Sequence, residues 1–469
     1  MKNKLLFIVV CMIILCPVFN AQARDNGYLV MFKDGFKPET SEYNLKVVNE
    51  VRGIYSADNQ EILKPLEKYI ECISENSEVT LIEDDFPTVF SLRDETTSSE
   101  YEQLSLIKAE AGWKLEAYGN DVKVAVIDSG CYNHDDLKGN LLGGKNYLTG
   151  TTDVTDNNGH GTHVSGIIAA EINGIGTAGV APKAKIVPLK CFDPSRSTYA
   201  DDILDAIYDA VDVYGCKIIN MSWGLPSHNS LLKAAIDYAY NKGVIMVAAV
   251  GNYGNTTLYY PAAYDNVIGV ASVNRNKVKS SFSQYNRSVM VAALGESVKS
   301  TGKDGNYVLK SGTSQATPMV SGIAAVALSV DGSLTNTLFR QMLIETAEDL
   351  GDAGYDTKYG YGLANEEALL GKLMDKLGCY VSPVNLHNDE AYVLVKNNND
   401  YILEAASLFS EYSGNKFVGC SVTPINLAPS EEKIVGIKSK NDKVSHFLWS
   451  GLGNPNPLTI RRNLDLLIK

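Results

Sequence analysis

The chain has 469 residues, about three times the length of a typical single domain. Its composition, with 45% hydrophobic, 21% charged and 9% aromatic residues, is typical of a soluble globular protein and excludes a mainly disordered, collagen-like or multi-span membrane protein. Acidic residues outnumber basic residues by 55 to 42, and the net charge of −13 argues against a nucleic-acid-binding protein, which would normally present a basic face.

A short apolar run, residues 5–16, lies near the N-terminus. Lys2 and Lys4 precede it, and Ala21 and Ala23 form a small-x-small pair after it. This order is typical of a secretory signal peptide, and the run is too short to cross a bilayer comfortably. We therefore predict a signal peptide at residues 1–23 and a secreted, extracellular protein without a membrane span after signal removal. Association with the cell surface stays open.

The next segment, residues 24–95, is predicted to form a small α+β unit. Apolar runs at 28–32 and 79–82 favour strands, and a stretch around 61–73 has a helical pattern. The polar sequence that follows is rich in turn-forming residues, so residues 96–106 are predicted to be a linker.

Residues 107–373 alternate short apolar runs with amphipathic helical patterns. The apolar runs are 122–127, 186–189, 218–221, 244–249 and 267–271. Strands that lack polar alternation and are separated by helices predict a parallel sheet covered by helices on both faces. The fold class of this part is therefore α/β.

Residues 380–469 lose the helical signal and are predicted to form a C-terminal β-sandwich. The strand-like runs are 392–395, 407–412, 417–422, 433–437 and 446–449. A disulfide between Cys379 and Cys420 is conceivable, but sequence alone cannot fix the pairing. His446 is expected at a face or an edge of this unit, which carries no chemical cluster and so no catalytic role.

Asp128 ends the first predicted strand of the α/β region. Groups at the carboxyl end of a parallel strand point into the functional crevice of such a sheet. The alternative is that Asp128 is a cap or turn residue, which is the commoner use of an aspartate there.

His160 lies among glycines just before an apolar helical run. A histidine at a helix start with an ordinary pKa near 6.5 is suited to act as a general base. The alternative is a metal site formed with His163, but no acid lies between the two histidines to serve as the base of a zinc protease.

Ser314 lies in the sequence SGTSQATP at 311–318, just before a buried small-residue helix. The helix N-terminus favours an anionic neighbour, such as the oxygen of an attacked carbonyl. A lone serine there would be a helix cap. With Asp128 and His160 elsewhere in the chain, the three residue types match the needs of nucleophilic catalysis, because the serine needs a base and the base needs a carboxylate.

Asn252 follows another predicted strand at its carboxyl end. Its amide is a neutral donor suited to an oxyanion, although a turn asparagine is the common alternative. The residues Ser222, Trp223 and Gly224 offer strand backbone at the same edge, and Gly224 leaves space for a peptide to pair alongside.

The sequences DSG at 128–130, HGTHVSG at 160–166 and GTSQATP at 312–318 together resemble the signature blocks of the subtilisin-like serine proteases, the subtilases, in the order Asp, His, Ser. The resemblance covers residues 107–373. It implies a catalytic triad of Asp128, His160 and Ser314, with Asn252 as oxyanion donor. Ser222, Trp223 and Gly224 would form one wall of the substrate cleft. Tyr259 stands where the family usually has a small residue, which implies a shallow side-chain pocket.

The resemblance also implies a structural calcium ion and no organic cofactor. Residues 171–177 resemble the family's calcium loop, with Glu171, Asn173, Ile175 and Thr177 at the ligand positions and Asp136 as a carboxylate from elsewhere. One carboxylate, one amide and loop carbonyls suit Ca²⁺. The alternative is a glycine-rich turn that holds no metal.

Residues 28–90 resemble the inhibitory propeptide of the family. The resemblance implies that this propeptide is removed by self-cleavage within residues 91–105, a segment that overlaps the predicted linker. The sequence therefore predicts a secreted serine endopeptidase, a monomer, acting on protein or peptide substrates and held by its own propeptide. The alternative is a catalytically inactive surface-binding protein that keeps the fold.

Overall fold

The computed structural model describes residues 27–82, 88–90, 102–377, 379–382, 384–387, 390–399, 403–413, 416–439, 443–449 and 462–465. The predicted signal peptide lies outside these residues, as does most of the predicted linker. We refer to residues 27–82 as the N-terminal unit, residues 102–377 as the central unit and residues 379–465 as the C-terminal unit.

The N-terminal unit is an antiparallel four-stranded sheet in the order β2-β3-β1-β4. Its strands are β1 (Tyr28–Phe32), β2 (Lys46–Asn49), β3 (Ile54–Ala57) and β4 (Ile70–Glu75), and two further strands, β5 (Glu78–Leu81) and β6 (Thr88–Phe90), follow it. The helix predicted around 61–73 is instead a 3₁₀ helix, Gln60–Tyr69, that ends where β4 begins. Pro65 lies inside it and removes one backbone donor, which disfavours a regular α-helix.

The central unit contains a seven-stranded sheet in the order β15-β14-β13-β11-β7-β9-β8, and all of its pairs are parallel. The strands of the unit are β7 (Lys123–Asp128), β8 (Lys145–Asn146), β9 (Lys185–Lys190), β10 (Ser197–Tyr199), β11 (Ile218–Met221), β12 (Trp223–Gly224), β13 (Ile245–Ala249), β14 (Ile268–Val273), β15 (Val291–Leu294), β16 (Val298–Thr301) and β17 (Tyr307–Lys310). The predicted α/β class is confirmed for this part of the chain.

Helices cover this sheet. They are α1 (Glu102–Ser105), α2 (Glu110–Lys114), α3 (His160–Ala169), α4 (Ala200–Asp212), α5 (Ser230–Asn241), α6 (Thr313–Val330), α7 (Asn336–Thr346) and α8 (Glu366–Lys376). Helix α3 packs against α6, and α4 packs against α5. Every residue of α6 is buried, which its sequence, rich in alanine, serine and threonine, allows because small side chains let a helix lie close to strands.

The described residues of the C-terminal unit form two four-stranded antiparallel sheets. One pairs β18 (Cys379–Val381), β19 (Asn385–His387) and β23 (Glu432–Lys438) with the central strand β20 (Glu390–Asn397). The other has the order β22-β21-β24-β25, formed by β21 (Leu403–Ser413), β22 (Lys416–Leu427), β24 (Lys443–Trp449) and β25 (Arg462–Asp465). Residues of both sheets share one hydrophobic cluster.

The C-terminal unit differs from the sequence predictions at His446 and at the two cysteines. His446 is fully buried and bonded to the Ser407 hydroxyl at 2.6 Å, so its predicted place at a face or edge was wrong. The cause is local, because a neutral imidazole can be buried in a strand when a hydroxyl satisfies it. Cys379 and Cys420, both among the described residues, are not joined by a disulfide.

The carboxyl ends of the parallel strands place the predicted functional residues at one edge. Asp128 is the last residue of β7, Ser222 follows β11 and Asn252 follows β13, and these three strands are neighbours. Within the described ranges, no helix has both the length and the apolar composition needed to cross a membrane.

Candidate active site

Asp128 and His160 form a direct hydrogen-bonded pair. The Nδ1 atom of His160 lies 2.8 Å from Asp128 Oδ1 and 3.0 Å from Oδ2, and both side chains are fully buried. The backbone allows this approach only because residue 161 is glycine, since a Cβ atom there would lie 2.2 Å from the carbonyl oxygen of Gly130. A carboxylate at Nδ1 fixes the histidine tautomer and leaves Nε2 to exchange protons.

The loop between these two residues is held by Asp156, which the sequence did not single out. Its carboxylate accepts hydrogen bonds from the Ser129 hydroxyl at 2.9 Å, from the Gly159 N–H at 2.8 Å and from the Thr162 N–H at 2.9 Å. Asp156 is therefore a positioning residue for both ends of the pair. The N-cap of α3 is Gly159, so Asp156 lies outside the capping position and no local sequence pattern pointed to it.

Ser314 stands at the start of α6, after Gly312 with a φ of 154°. The Ser314 side chain is fully buried, and its hydroxyl contacts the carbonyl oxygen of Ile82 and donates to the Ser222 carbonyl at 3.1 Å. The hydroxyl of the predicted nucleophile thus lies against a peptide carbonyl from the N-terminal unit.

Asn252 points its amide at the same carbonyl oxygen. Its Oδ1 atom accepts from the backbone N–H and the hydroxyl of Thr313, both at 2.9 Å, which fixes the orientation of the amide. The Nδ2 donor then lies 3.4 Å from the Ile82 oxygen. Thr313 was missed by the sequence analysis, and only the structure reveals that it orients Asn252.

The segment that carries Ile82 lies in the cleft as an added strand. Strand β5 pairs antiparallel with β10 on one side and with β12 on the other, in the register Val79 with Thr198 and Thr80 with Gly224. The Ile82 N–H continues this ladder by donating to the Ser222 carbonyl at 3.2 Å. The predicted cleft wall at residues 222–224 therefore contacts a peptide of the chain itself, and β10 forms the opposite wall, which the sequence did not indicate.

The Ile82 side chain lies beside Gly224 and Tyr259. A Cβ atom at residue 224 would be 3.1 Å from both Ile82 Cδ1 and Tyr259 Cδ1. The Tyr259 ring stacks on Tyr253 with ring centroids 5.7 Å apart. Burial, together with a hydrogen bond to Tyr253, raises the pKa of Tyr259 to about 12, so the phenol is neutral. Tyr259 thus lies beside the Ile82 side chain, and Tyr253 stacks on Tyr259.

His163 lies one helical turn after His160 in a different environment. Its Nε2 atom is 3.1 Å from the carbonyl oxygens of both Val298 and Val308, and burial lowers its pKa to about 3. The side chain joins β16 and β17 to α3 as a neutral donor. The described residues contain no group of three His, Cys, Asp or Glu side chains arranged to hold a metal ion.

The predicted calcium residues come together around Asp136, which is fully buried. Its Oδ2 atom accepts from the Thr177 N–H and the Tyr307 hydroxyl, each at 3.1 Å, whereas Oδ1 has no hydrogen-bond partner among the described atoms. Burial raises the pKa of Asp136 to about 6, although bonds from Thr177, Tyr307 and Asn173 oppose the rise. An unsatisfied buried carboxylate oxygen fits a cation ligand.

The other residues of the predicted calcium loop, 171–177, make local hydrogen bonds. Asn173 Oδ1 accepts from the Ile175 N–H at 3.1 Å, and the Glu171 carboxylate accepts from the Gly139 N–H at 2.7 Å. The Glu171 side chain therefore faces Gly139, which leaves only its carbonyl as a potential ligand. The Lys299 ammonium donates to the Gly176 carbonyl at 3.2 Å.

The chain is similar to a known protein family over most of its central unit. Residues 119–362 match the model of the subtilase family. The chain is 42% identical to subtilisin DY of Bacillus licheniformis over 270 residues, which are 56% of this chain and 96% of that protein. It is 35% identical to a thermostable alkaline protease of Halalkalibacterium halodurans over 328 residues, 69% of this chain and 85% of the other.

A third relative is longer. The chain is 38% identical over 314 residues to the minor extracellular protease Epr of Bacillus subtilis, and the match covers 66% of this chain but about half, 48%, of Epr. Because the family match spans more than half of the chain and includes the sheet edge described above, the chain belongs to the subtilase family of serine endopeptidases.

Proposed function

We propose that this chain hydrolyses peptide bonds with Ser314 as nucleophile, His160 as general base and acid, and Asp128 as the carboxylate that orients His160. The main support for the proposal is the position of the Ile82 carbonyl oxygen. The Ser314 hydroxyl contacts it, and the Asn252 amide approaches it. A peptide carbonyl between a hydroxyl and an amide donor is the arrangement that acyl transfer requires.

The chemistry follows from these groups. Ser314 Oγ attacks the carbonyl carbon while its proton passes to His160 Nε2, and Asp128 stabilises the imidazolium that forms. The carbonyl oxygen becomes negative and is held by Asn252 Nδ2. His160 then gives the proton to the leaving nitrogen, and a water molecule repeats the sequence to release the acyl group.

The first substrate, in this proposal, is the chain itself. The carbonyl in the cleft belongs to the Ile82–Glu83 peptide bond, so we infer that self-processing begins there rather than in the 91–105 linker that the sequence suggested. The N-terminal unit would then remain as an inhibitor, since β5 keeps its pairing with β10 and β12 after cleavage.

The same geometry supports a preference for medium-sized aliphatic residues before the cleaved bond. Ile82 occupies this place in the chain, and Tyr259, on which Tyr253 stacks, adjoins it. Larger aromatic side chains would meet the Tyr259 ring. A digest of a peptide library should therefore show cleavage after Ile, Val or Leu more often than after Phe or Tyr.

We also propose a structural calcium ion held by Asp136, Asn173 and carbonyls of residues 171, 175 and 177. Binding to the folded state alone would add about 2.7 kcal/mol of stability at a concentration of 100 Kd. Asp136→Asn should remove most of the effect of calcium on the melting temperature, and Glu171→Gln, whose carboxylate faces Gly139, should keep it. Identical melting curves with calcium and with chelator would contradict the site.

Secretion and a monomeric state are part of the proposal. The signal-like sequence at 1–23 and the extracellular relative Epr support export. The test of the main proposal is labelling with a serine-directed fluorophosphonate, read by peptide mass spectrometry. We expect the label on Ser314 in the self-processed protein and none in the Ser314→Ala variant. An unlabelled, folded protein without peptidase activity would favour the alternative of an inactive binding protein.

A further inference from the structure

A second segment of the chain pairs with the central unit beyond the cleft. Strands β16 and β17 form an antiparallel hairpin, and β6 adds to the free edge of β17 in the register Thr88 with Leu309, Val89 with Val308 and Phe90 with Tyr307. The three strands form a separate small sheet in the order β16-β17-β6.

The position of β6 along the chain is informative. Ile82, whose carbonyl contacts Ser314, precedes Thr88 by six residues and Phe90 by eight. If the bond after Ile82 is the one that is cleaved, β6 lies on the leaving side of that bond, six to eight residues downstream. Strand β5 pairs on one side of the cleaved bond and β6 on the other.

The hairpin is held firmly enough to act as a template. His163 Nε2 bonds the carbonyls of Val298 and Val308, and the Ser300 hydroxyl donates to the His163 carbonyl at 2.7 Å. The Tyr307 hydroxyl bonds Asp136. These contacts tie both strands to α3 and to the loop around Asp136, so an incoming peptide does not need to order the hairpin.

The opposite edge of the hairpin is already occupied. The Gln103 side chain donates to the Lys299 carbonyl and accepts from the Lys299 N–H, both at 2.9 Å, as a neighbouring strand would. Of the two edges, the outer edge of β17 is therefore the one that remains for an added peptide.

We propose that the outer edge of β17, residues 307–309, binds protein substrates as an added antiparallel strand, at the positions six to eight residues after the cleaved bond. In the unprocessed chain, Thr88–Phe90 takes this place. The proposal rests on the proposed peptidase function and on Ile82 as the residue before the cleaved bond. Recognition by main-chain pairing tolerates most sequences but excludes proline, which lacks the N–H donor.

The consequence is a preference for long extended substrates. A peptide that ends shortly after the cleaved bond gains only the pairing with β10 and β12, whereas one that reaches β17 gains further backbone hydrogen bonds. These added contacts lie far from the reacting carbonyl and are the same in the ground state and the transition state, so they should lower KM and leave kcat unchanged.

The test uses four quenched fluorescent peptides taken from the chain. The short peptide has the sequence of residues 79–84 and the long one that of residues 79–90. The third is the long peptide with Thr88→Pro and Val89→Pro, and the fourth is the long peptide with Thr88→Ala and Val89→Ala, which keeps the backbone donors. The enzymes are the self-processed protein and its variant T88P/V89P, in which the chain's own segment cannot compete for the edge.

With the variant enzyme we expect all four peptides to be cut after the isoleucine with similar kcat. KM should be about tenfold lower for the long and alanine peptides than for the short and proline peptides. Equal kcat/KM for all four peptides with both enzymes would overturn the docking strand and leave the proposed function standing. If no peptide is cut after the isoleucine, the proposed function itself is wrong.

Discussion

The central and C-terminal units each bury a histidine that is bonded to another side chain, and only one of the two has the surroundings of an active site. His160 and His446 are both fully buried. His160 bonds the Asp128 carboxylate at 2.8 Å, whereas His446 bonds the Ser407 hydroxyl at 2.6 Å and lies beside the Phe409 ring, 4.7 Å between centroids. A buried histidine bonded to a serine is therefore not by itself a sign of catalysis.

The difference lies in where the fold puts each histidine. His446 is in the middle of β24, and Ser407 lies on the paired strand β21, so the two are enclosed within a sheet. Asp128 ends a strand and His160 begins a helix, at an edge where β5 enters as a peptide. Strand ends bring groups from distant parts of the chain to a surface that a substrate can reach, whereas strand interiors bury them.

Ser314→Ala removes the proposed nucleophile, the group that sets the surroundings of His160 apart from those of His446. Because one triad would perform both peptide hydrolysis and self-processing, we expect the variant to accumulate without cleavage after Ile82. We expect kcat to fall on the order of 10⁶, the loss known for removal of the corresponding serine in subtilisin. Gel analysis and a peptide assay on purified protein measure both effects. Normal processing of the purified variant would show that another group does the chemistry.

Asn252→Ala tests the oxyanion donor. Loss of one such donor costs about 10²–10³ in kcat, as established for the oxyanion asparagine of subtilisin, with little change in KM. The matched control is Asn255→Ala, which removes an exposed loop amide that accepts from the Thr257 N–H at 2.9 Å. If both variants lose the same modest activity, the role of Asn252 is structural.

Asp205 lies at the contact between the N-terminal and central units, which must open when the cleaved N-terminal unit leaves. Its carboxylate accepts from Asn49 of the N-terminal unit at 2.9 Å. Burial raises the pKa of Asp205 from 3.8 to about 6, Asp209 and Asp201 add to the rise, and Asn49 and Lys145 oppose it. Because burial, the largest cause, disfavours the charged carboxylate, docking of the N-terminal unit over Asp205 is favoured while the carboxyl is protonated and weakens as the pH rises through about 6, and the Asn49 hydrogen bond opposes this effect only in part.

We therefore expect the cleaved N-terminal unit to dissociate faster at pH 7 than at pH 4. The change due to Asp205 should be less than about tenfold, because solvent screens a partly exposed group. Size-exclusion chromatography of the protein after self-cleavage follows dissociation independently of activity. Asp205→Asn should flatten the pH dependence. An unchanged profile in this variant would exclude Asp205 as its source.

The smallest effect on activity is expected for the hydrogen-bonded pair of His446 and Ser407 in the C-terminal unit. His446→Phe should leave kcat unchanged and lower the free energy of unfolding by about 1–3 kcal/mol, because the Ser407 hydroxyl is left buried without its partner. The double variant S407A/H446F should recover much of that stability. Denaturant unfolding and a peptide assay test both points, and a large loss of kcat in a folded His446→Phe protein would mean that the C-terminal unit shapes the active site.

Much of the fold and site could be predicted from the sequence because the relevant signals are local. Asp128 ends an apolar run, and His160 and Ser314 each lie near glycines just before a helical run. The α/β alternation predicts the sheet edge at which such turns meet. Asn252 could be predicted for the same reason.

Other features depend on contacts between distant residues and could not be predicted. Nothing in the run 79–82 indicates that Ile82, rather than a residue of the later linker, reaches Ser314, because this depends on the docking of the N-terminal sheet on α4 and α5. Thr313 and Asp156 are ordinary polar residues until the structure shows what they orient. The burial of His446 depends on the register of β21 and β24, which the sequence leaves open.

The identity of the first bond that the chain cleaves tests the proposed self-processing directly. Purified precursor can be incubated for a short series of times and the fragments measured by intact mass spectrometry. The contact between Ile82 and Ser314 predicts that the earliest N-terminal fragment ends at Ile82, that its partner begins at Glu83, and that neither forms in Ser314→Ala. An earliest fragment that ends between residues 91 and 105, with none ending at Ile82, would contradict the placement of this carbonyl at the nucleophile.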